Sequence, residues 1–137
     1  MVAEGLRCSS VPFIEPDRDQ IRELAESGRT EPVVMLNLLE FAPEGGAESY
    51  RHYGEGVVPI LNRIGAKVLW QGSADSVVIG DRDADRWDTV VLVQYPSRQA
   101  FLDMVASEEY QAIAGRRSQA LVDSRLIACT EQFRAAG

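Results

Sequence analysis

Nine residues decide the fold: Val33-Val34-Met35-Leu36-Asn37-Leu38-Leu39-Glu40-Phe41, bounded by Pro32 and, two residues on, Pro43. Seven of the nine are apolar, so the run predicts a strand buried on at least one face. Asn37 interrupts it. A buried amide without partners costs roughly 1–3 kcal/mol, so Asn37 either hydrogen-bonds or faces water. Side chains alternate along a strand, which gives two sets: Val34, Leu36 and Leu38, wholly apolar, and Met35, Asn37 and Leu39.

Upstream, residues 1–16 carry Pro12 and Pro16 and read as irregular. Asp17 to Ser27 predicts a short helix with Ile21, Leu24 and Ala25 as its stripe, capped by Asp17 and ended near Gly28. Downstream, Tyr50, Tyr53, Val57, Leu61 and Ile64 recur at helical spacing and predict a helix over 47–64. Gly54, Gly56 and Pro59 within it predict a bend or break. Residues 66–72 and 76–79 read as one interrupted strand or two short ones, and 89–95 as a strand ended by Pro96. Ser97 caps a helix with Phe101, Met104 and Val105 on its stripe; Ser107 restarts it with Glu108 and Glu109 in the first turn. Residues 124–133 complete the set as a last strand.

From residue 33 the order is β-α-β-β-α-β. Right-handed crossovers make this a ferredoxin-like α+β domain: one four-stranded antiparallel sheet, order 4-1-3-2, with the helices on one face. Residues 1–30 then form an N-terminal extension with a short helix, and 31–137 the domain. Val34, Leu36 and Leu38, with Val91 and Val93 on the third strand, are assigned to the helix side. Met35, Asn37 and Leu39 beside Val90, Leu92 and Gln94 are left on a face that nothing in the chain covers. An uncovered apolar face marks an association surface, and a two-fold dimer with sheets face to face is the economical answer. On this assignment Asn37 and Gln94 share the open face. They line a polar ligand cleft there, or bond each other in a dry interface.

Composition limits the partners. The formal charge of −7 argues against nucleic acid and against anionic membrane surfaces. No apolar run approaches the roughly 20 residues of a bilayer span, and MVAEGLRCSS has no signal-peptide core. Cys8 and Cys129 form no CxxC pair, which fits reduced thiols in the cytoplasm. With one histidine, His52, neither a zinc site nor a His-ligated haem is expected, and no cofactor is. Asp81, Asp83 and Asp85 imitate a calcium loop, but Arg86 and Leu92 stand where Gly and Glu are required.

NLLEF on the first strand, Tyr50-x-x-Tyr53, Gly65-Ala66-Lys67-Val68-Leu69-Trp70-Gln71-Gly72, Tyr95-Pro96-Ser97, Ser107-Glu108-Glu109-Tyr110 and Arg116-Arg117 together resemble an uncharacterised bacterial domain-of-unknown-function family. That family lies in the dimeric α+β barrel superfamily, and the resemblance covers about residues 31–133. It implies the ferredoxin-like fold and a homodimer, and no particular reaction. Cofactor-free monooxygenases of the superfamily are thought to place Asn, Trp and Arg around an aromatic substrate. Asn37, Trp70 and Arg117 are of those types, an analogy of residue kind rather than of matched position.

Arg117 stands on the apolar stripe of its helix with Tyr110, Ile113 and Leu121. It either snorkels to water or serves as an anion clamp, with Arg116 turned to solvent. Trp70 and Tyr53 read as core aromatics or as ligand platforms. The expected ligand-binding set is therefore Asn37, Gln94, Trp70, Arg117 and Tyr53. The reading is a cytoplasmic homodimer that binds a small molecule in a cleft on the sheet face. Its alternatives are a cofactor-independent oxygenase or isomerase acting on a small aromatic or carboxylate substrate, and a non-enzymatic protein whose polar sheet residues only set dimer register.

Overall fold

The run between Pro32 and Pro43 forms strand β1 (Val33–Phe41), within the bounds its composition predicts. The structure, a computed structural model, describes residues 12–136. Around β1 stand α1 (Arg18–Ala25), α2 (Gly46–Ile64), β2 (Lys67–Ser73), β3 (Thr89–Tyr95), α3 (Arg98–Ala106), α4 (Glu108–Ala120) and β4 (Leu121–Cys129). The sheet order is β2-β3-β1-β4 and every pairing is antiparallel. This is the expected ferredoxin-like α+β sheet.

Local chemistry sets the helix ends. The Asp17 carboxylate accepts from the backbone N–H groups of Asp19 and Gln20 at 2.8 and 3.1 Å, capping α1. Ser107 is shared between α3 and α4: its hydroxyl donates to the Met104 carbonyl at 2.7 Å and accepts from the Tyr110 N–H at 3.1 Å. α1 packs on α3, with Leu24 against the core.

Four expectations need correction. First, α2 runs unbroken through Gly54, Gly56 and Pro59. Pro59 and Glu55, the residue four before it, are both exposed, so the carbonyl that proline leaves unbonded can meet water. Gly56 is there for proximity: a Cβ would lie 3.0 Å from Arg116 Nη1 and 3.3 Å from Ile113 Cδ1, which is how α4 comes against α2. Second, 76–79 is no strand; Val78 and Ile79 are 90% and 95% exposed. Third, β4 spans 121–129 rather than 124–133, because its pairing ends at Val34↔Cys129, where β1 itself begins.

The fourth correction is the most consequential. Val33, Met35, Asn37 and Leu39 are buried, while Val34, Leu36 and Leu38 remain half-buried. Asn37 pairs with Val91, and Gln94 with Val34. Directly opposed residues share a face, so Asn37 lies with Val91 and Val93 under the helices and Gln94 lies on the open face. A one-residue slip in the assumed pairing turns a whole strand over. Asn37 and Gln94 cannot bond each other through the sheet.

The core is the helix side: Val33, Met35, Leu39, Val91, Val93 and Tyr95 from the sheet against Tyr53, Val57, Ile60, Phe101 and Met104 from the helices.

Candidate functional site

A polar cluster lies within the helix-side layer, and Asn37 is its floor. It is 7% exposed. Its amide nitrogen lies 3.4 Å from the Met35 and Val91 carbonyls, and its Oδ1 accepts from Arg117 Nη2 at 3.4 Å. Arg117 reaches it from α4, one turn before the helix ends. The other arm of the guanidinium, Nη1, donates to the Ile14 carbonyl at 3.4 Å, and its charge acts on the nearby Tyr50 phenol. Among the described residues Arg117 makes no ion pair. Half-buried, it meets only neutral oxygens.

Tyrosines wall the cluster. Tyr50 and Tyr53 sit three apart on α2, and Tyr110 lies seven before Arg117 on α4, so each pair shares a helix face. The Tyr53 and Tyr110 hydroxyls are 2.9 Å apart. The rings run in series: Phe41–Tyr50 at 5.6 Å, Tyr50–Tyr53 at 5.4 Å and Tyr53–Tyr110 at 6.2 Å, the last edge-on. Burial pushes the Tyr50 phenol up against the opposing pull of the Arg117 charge, and it pushes Tyr53 and Tyr95 up further. These hydroxyls stay protonated at neutral pH and act as hydrogen-bond donors.

The cluster lies toward the β4 edge. Leu126, opposite Asn37 on β4 and on the same face, is 44% exposed, so helix cover thins out there. Residues 13–15 run along this edge. The Phe13 N–H donates to Asp123 Oδ1 at 2.9 Å, the Ser124 hydroxyl donates to the Phe13 carbonyl, and the Ser118 hydroxyl donates to Glu15. Two shallow depressions lie elsewhere. One of about 290 Å³ is lined by Glu40, Asp83, Asp88 and Asp123. One of about 420 Å³ is lined by Glu48, Arg51, His52 and Glu55. The first is largely acidic and the second carries mixed charge, both open to solvent, and the Arg117 cluster is better placed to hold a polar ligand. His52 is exposed, 3.6 Å from Glu55. No metal-binding group of His, Cys, Asp and Glu occurs among the described residues, and no helix there is long and apolar enough to cross a membrane.

The five sequence-selected residues therefore separate. Asn37, Arg117 and Tyr53 come together under the helices. Gln94 and Trp70 face the other way, because Trp70 pairs with Leu92 on the open side. Trp70 is 54% exposed and its ring lies over Gly72, where a Cβ would collide with it. Gln94 accepts from Arg134 at 2.7 Å. Arg116 does not point to open solvent; its Nη1 lies against Gly56. Cys8 lies outside the described residues, and Cys129 is a free thiol.

The family model described as "Domain of unknown function (DUF1330)" matches residues 45–130. The chain belongs to the DUF1330 family. The matched segment carries Tyr50, Tyr53, Tyr110 and Arg117, while Asn37 precedes it. No curated protein matches the sequence. Among solved structures, the RPA0582 protein of unknown function from Rhodopseudomonas palustris is 33% identical. That match covers 90% of this chain and 100% of that one with a TM-score of 0.82. A dimeric ferredoxin-like protein of unknown function from Jannaschia sp. CCS1 superposes at TM-score 0.54 with 10% identity, over 73% of this chain and 99% of that one. A putative antibiotic biosynthesis monooxygenase from Bacteroides thetaiotaomicron does so at 0.55 with 16% identity, over 78% and 95%. The latter two speak to the fold alone, and they agree with the ferredoxin-like α+β architecture of this DUF1330 chain.

Tyr50 and Tyr110 were not among the expected ligand residues. The signal was present in part: a tyrosine on an apolar stripe brings a hydroxyl into the core that must find a partner, and Tyr110 shares its stripe with Arg117.

Proposed function

We propose that this DUF1330 protein binds a small molecule bearing a carboxylate or similar oxyanion at the Arg117–Asn37 pair, with the ligand's flat body against Tyr50, Tyr53 and Tyr110. The observation that carries this is Arg117: a half-buried guanidinium hydrogen-bonded to two neutral oxygens and to no carboxylate among the described residues. Uncompensated charge away from water is unfavourable, and a planar oxyanion suits the guanidinium fork. The Ile14 carbonyl occupies one arm of that fork, so residues 13–15 must yield for the ligand to seat. The cleft thus belongs to the helix side of the sheet.

The same donors would stabilise a developing enolate, which an oxygenase or isomerase needs. Such an enzyme also needs a base, and burial holds Tyr50 and Tyr53 protonated, so binding is the better-supported activity. In this reading the protein is a cytoplasmic homodimer. Val34, Leu36, Leu38, Val90 and Leu92 on the open face, with Ile127 of β4, form the contact. Asn37 then plays no part in dimer register.

The test is a thermal-shift screen of aromatic carboxylates, each beside its neutral amide, on wild type and Arg117→Met. Carboxylates should raise the midpoint of wild type, their amides should not, and Arg117→Met should respond to neither. Equal responses to acid and amide, or an unaltered response in Arg117→Met, would overturn the proposal.

A further inference from the structure

A second set of guanidinium groups lies at the other end of the sheet, where β3 gives way to α3. Arg98, the first residue of α3, is 7% exposed. Its Nη1 is buried with no hydrogen-bond partner, and Arg98 makes no ion pair among the described residues. Its Nη2 donates to Thr130 Oγ1 at 3.2 Å. Arg29, from the segment after α1, donates to the same oxygen at 2.6 Å. Two guanidinium N–H groups therefore use both lone pairs of one hydroxyl, and the hydroxyl proton is left to be donated outward. Of the nearby carboxylates, Glu31 lies 3.3 Å from the same Arg29 Nη1 and offsets that charge, and Glu131 pairs with Arg134 at 2.6 Å; neither reaches Arg98. What converges on Thr130 is two guanidinium groups, Arg29 with one carboxylate partner and Arg98 with none among the described residues, beside the positive end of α3.

A buried donor with no partner requires an explanation, and a buried cation without a counter-charge more so. We propose that Arg29, Arg98 and Thr130 form an oxyanion site of the phosphate class, distinct from the Arg117 cluster. Thr130 and the half-exposed Arg29 side chain form its open side, and Arg98 is its floor. A tetrahedral oxyanion offers the several acceptor lone pairs that these donors lack, and it supplies the charge that Arg98 lacks.

The test is thermal unfolding of the full chain titrated with inorganic phosphate, with sodium chloride added to hold ionic strength constant. Wild type should show a saturable rise that chloride alone does not give, and Arg117→Met should show the same rise, since that residue belongs to the other cluster. Arg29→Gln and Thr130→Val, both changed at the accessible side, should weaken the apparent affinity about tenfold or more. Arg98→Met should abolish the response. Should Arg98→Met fail to fold, the two accessible variants decide alone. A response to a small phosphomonoester equal to that for inorganic phosphate identifies an esterified ligand, and a response to inorganic phosphate alone identifies the free ion; either supports the site. A wild-type shift no larger than that of chloride, or an undiminished shift in Arg29→Gln and Thr130→Val, overturns it.

Discussion

Asn37→Leu should leave the protein as stable as wild type or make it more stable, while abolishing its response to carboxylate ligands. The magnitude follows from the contacts. Asn37 makes three hydrogen bonds, each at 3.4 Å, beyond the usual range for N–H···O bonds. At the weak end of net hydrogen-bond contributions, about 0.5 kcal/mol each, their loss costs about 1.5 kcal/mol. Arg117 keeps the Ile14 carbonyl. Against this, a leucine at a 93% buried position among Met35, Leu39, Val91 and Tyr53 gains about 1.5–3 kcal/mol of burial. The balance lies between about zero and 1.5 kcal/mol in favour of the mutant, as functional polar residues commonly give. Urea unfolding at matched protein concentration measures it, since a dimer's stability depends on concentration. A lower midpoint at an unchanged denaturant slope, equivalent to a loss of about 1–3 kcal/mol, would refute the reasoning and make Asn37 a structural residue.

Two further outcomes are expected. Tyr50, Tyr53 and Tyr95 have phenols raised by burial, so the folded state holds their protons after the unfolded chain has released them. The stability this gives is fully present below the unfolded phenol value of about 10 and is lost as pH rises beyond it, by about 1.4 kcal/mol per pH unit for each of Tyr53 and Tyr95, whose phenols are raised furthest. Urea midpoints should be flat from about pH 8 to pH 9 and fall toward pH 11, less steeply in Tyr53→Phe; a flat profile to pH 11, or an equal fall in the variant, would contradict the burial argument. On the open face, Leu36→Lys places a charge at the centre of the proposed contact, and light scattering should find wild type dimeric at micromolar concentration and the variant monomeric. A monomeric wild type would remove the dimer from the reading.

How far the sequence carried depends on which alternatives it offered. The bounds of β1, the Asp17 cap and the Ser107 junction each follow from one local signal with no equal competitor, and the sheet order follows from the β-α-β-β-α-β succession and its right-handed crossovers. The strand at 76–79 was suggested by Val77, Val78 and Ile79 alone, yet β2 and β3 already pair through Ser73↔Thr89, so the segment has no ladder to join and projects into solvent. The facing of β1 was not legible from β1 at all. Val34, Leu36 and Leu38 on one side and Met35 and Leu39 on the other are nearly equal in apolar content, and the amide in the second set argued for the outward side. What decides the matter stands 80 residues away. Arg117 interrupts the inward stripe of α4 much as Asn37 interrupts the inward set of β1. Each alone is a polar residue misplaced on an apolar surface. Placed face to face, each satisfies part of the other, and the burial that either would forbid becomes the condition for the site. Gln94, paired with Val34, has its partner Arg134 on the open face it shares with Trp70.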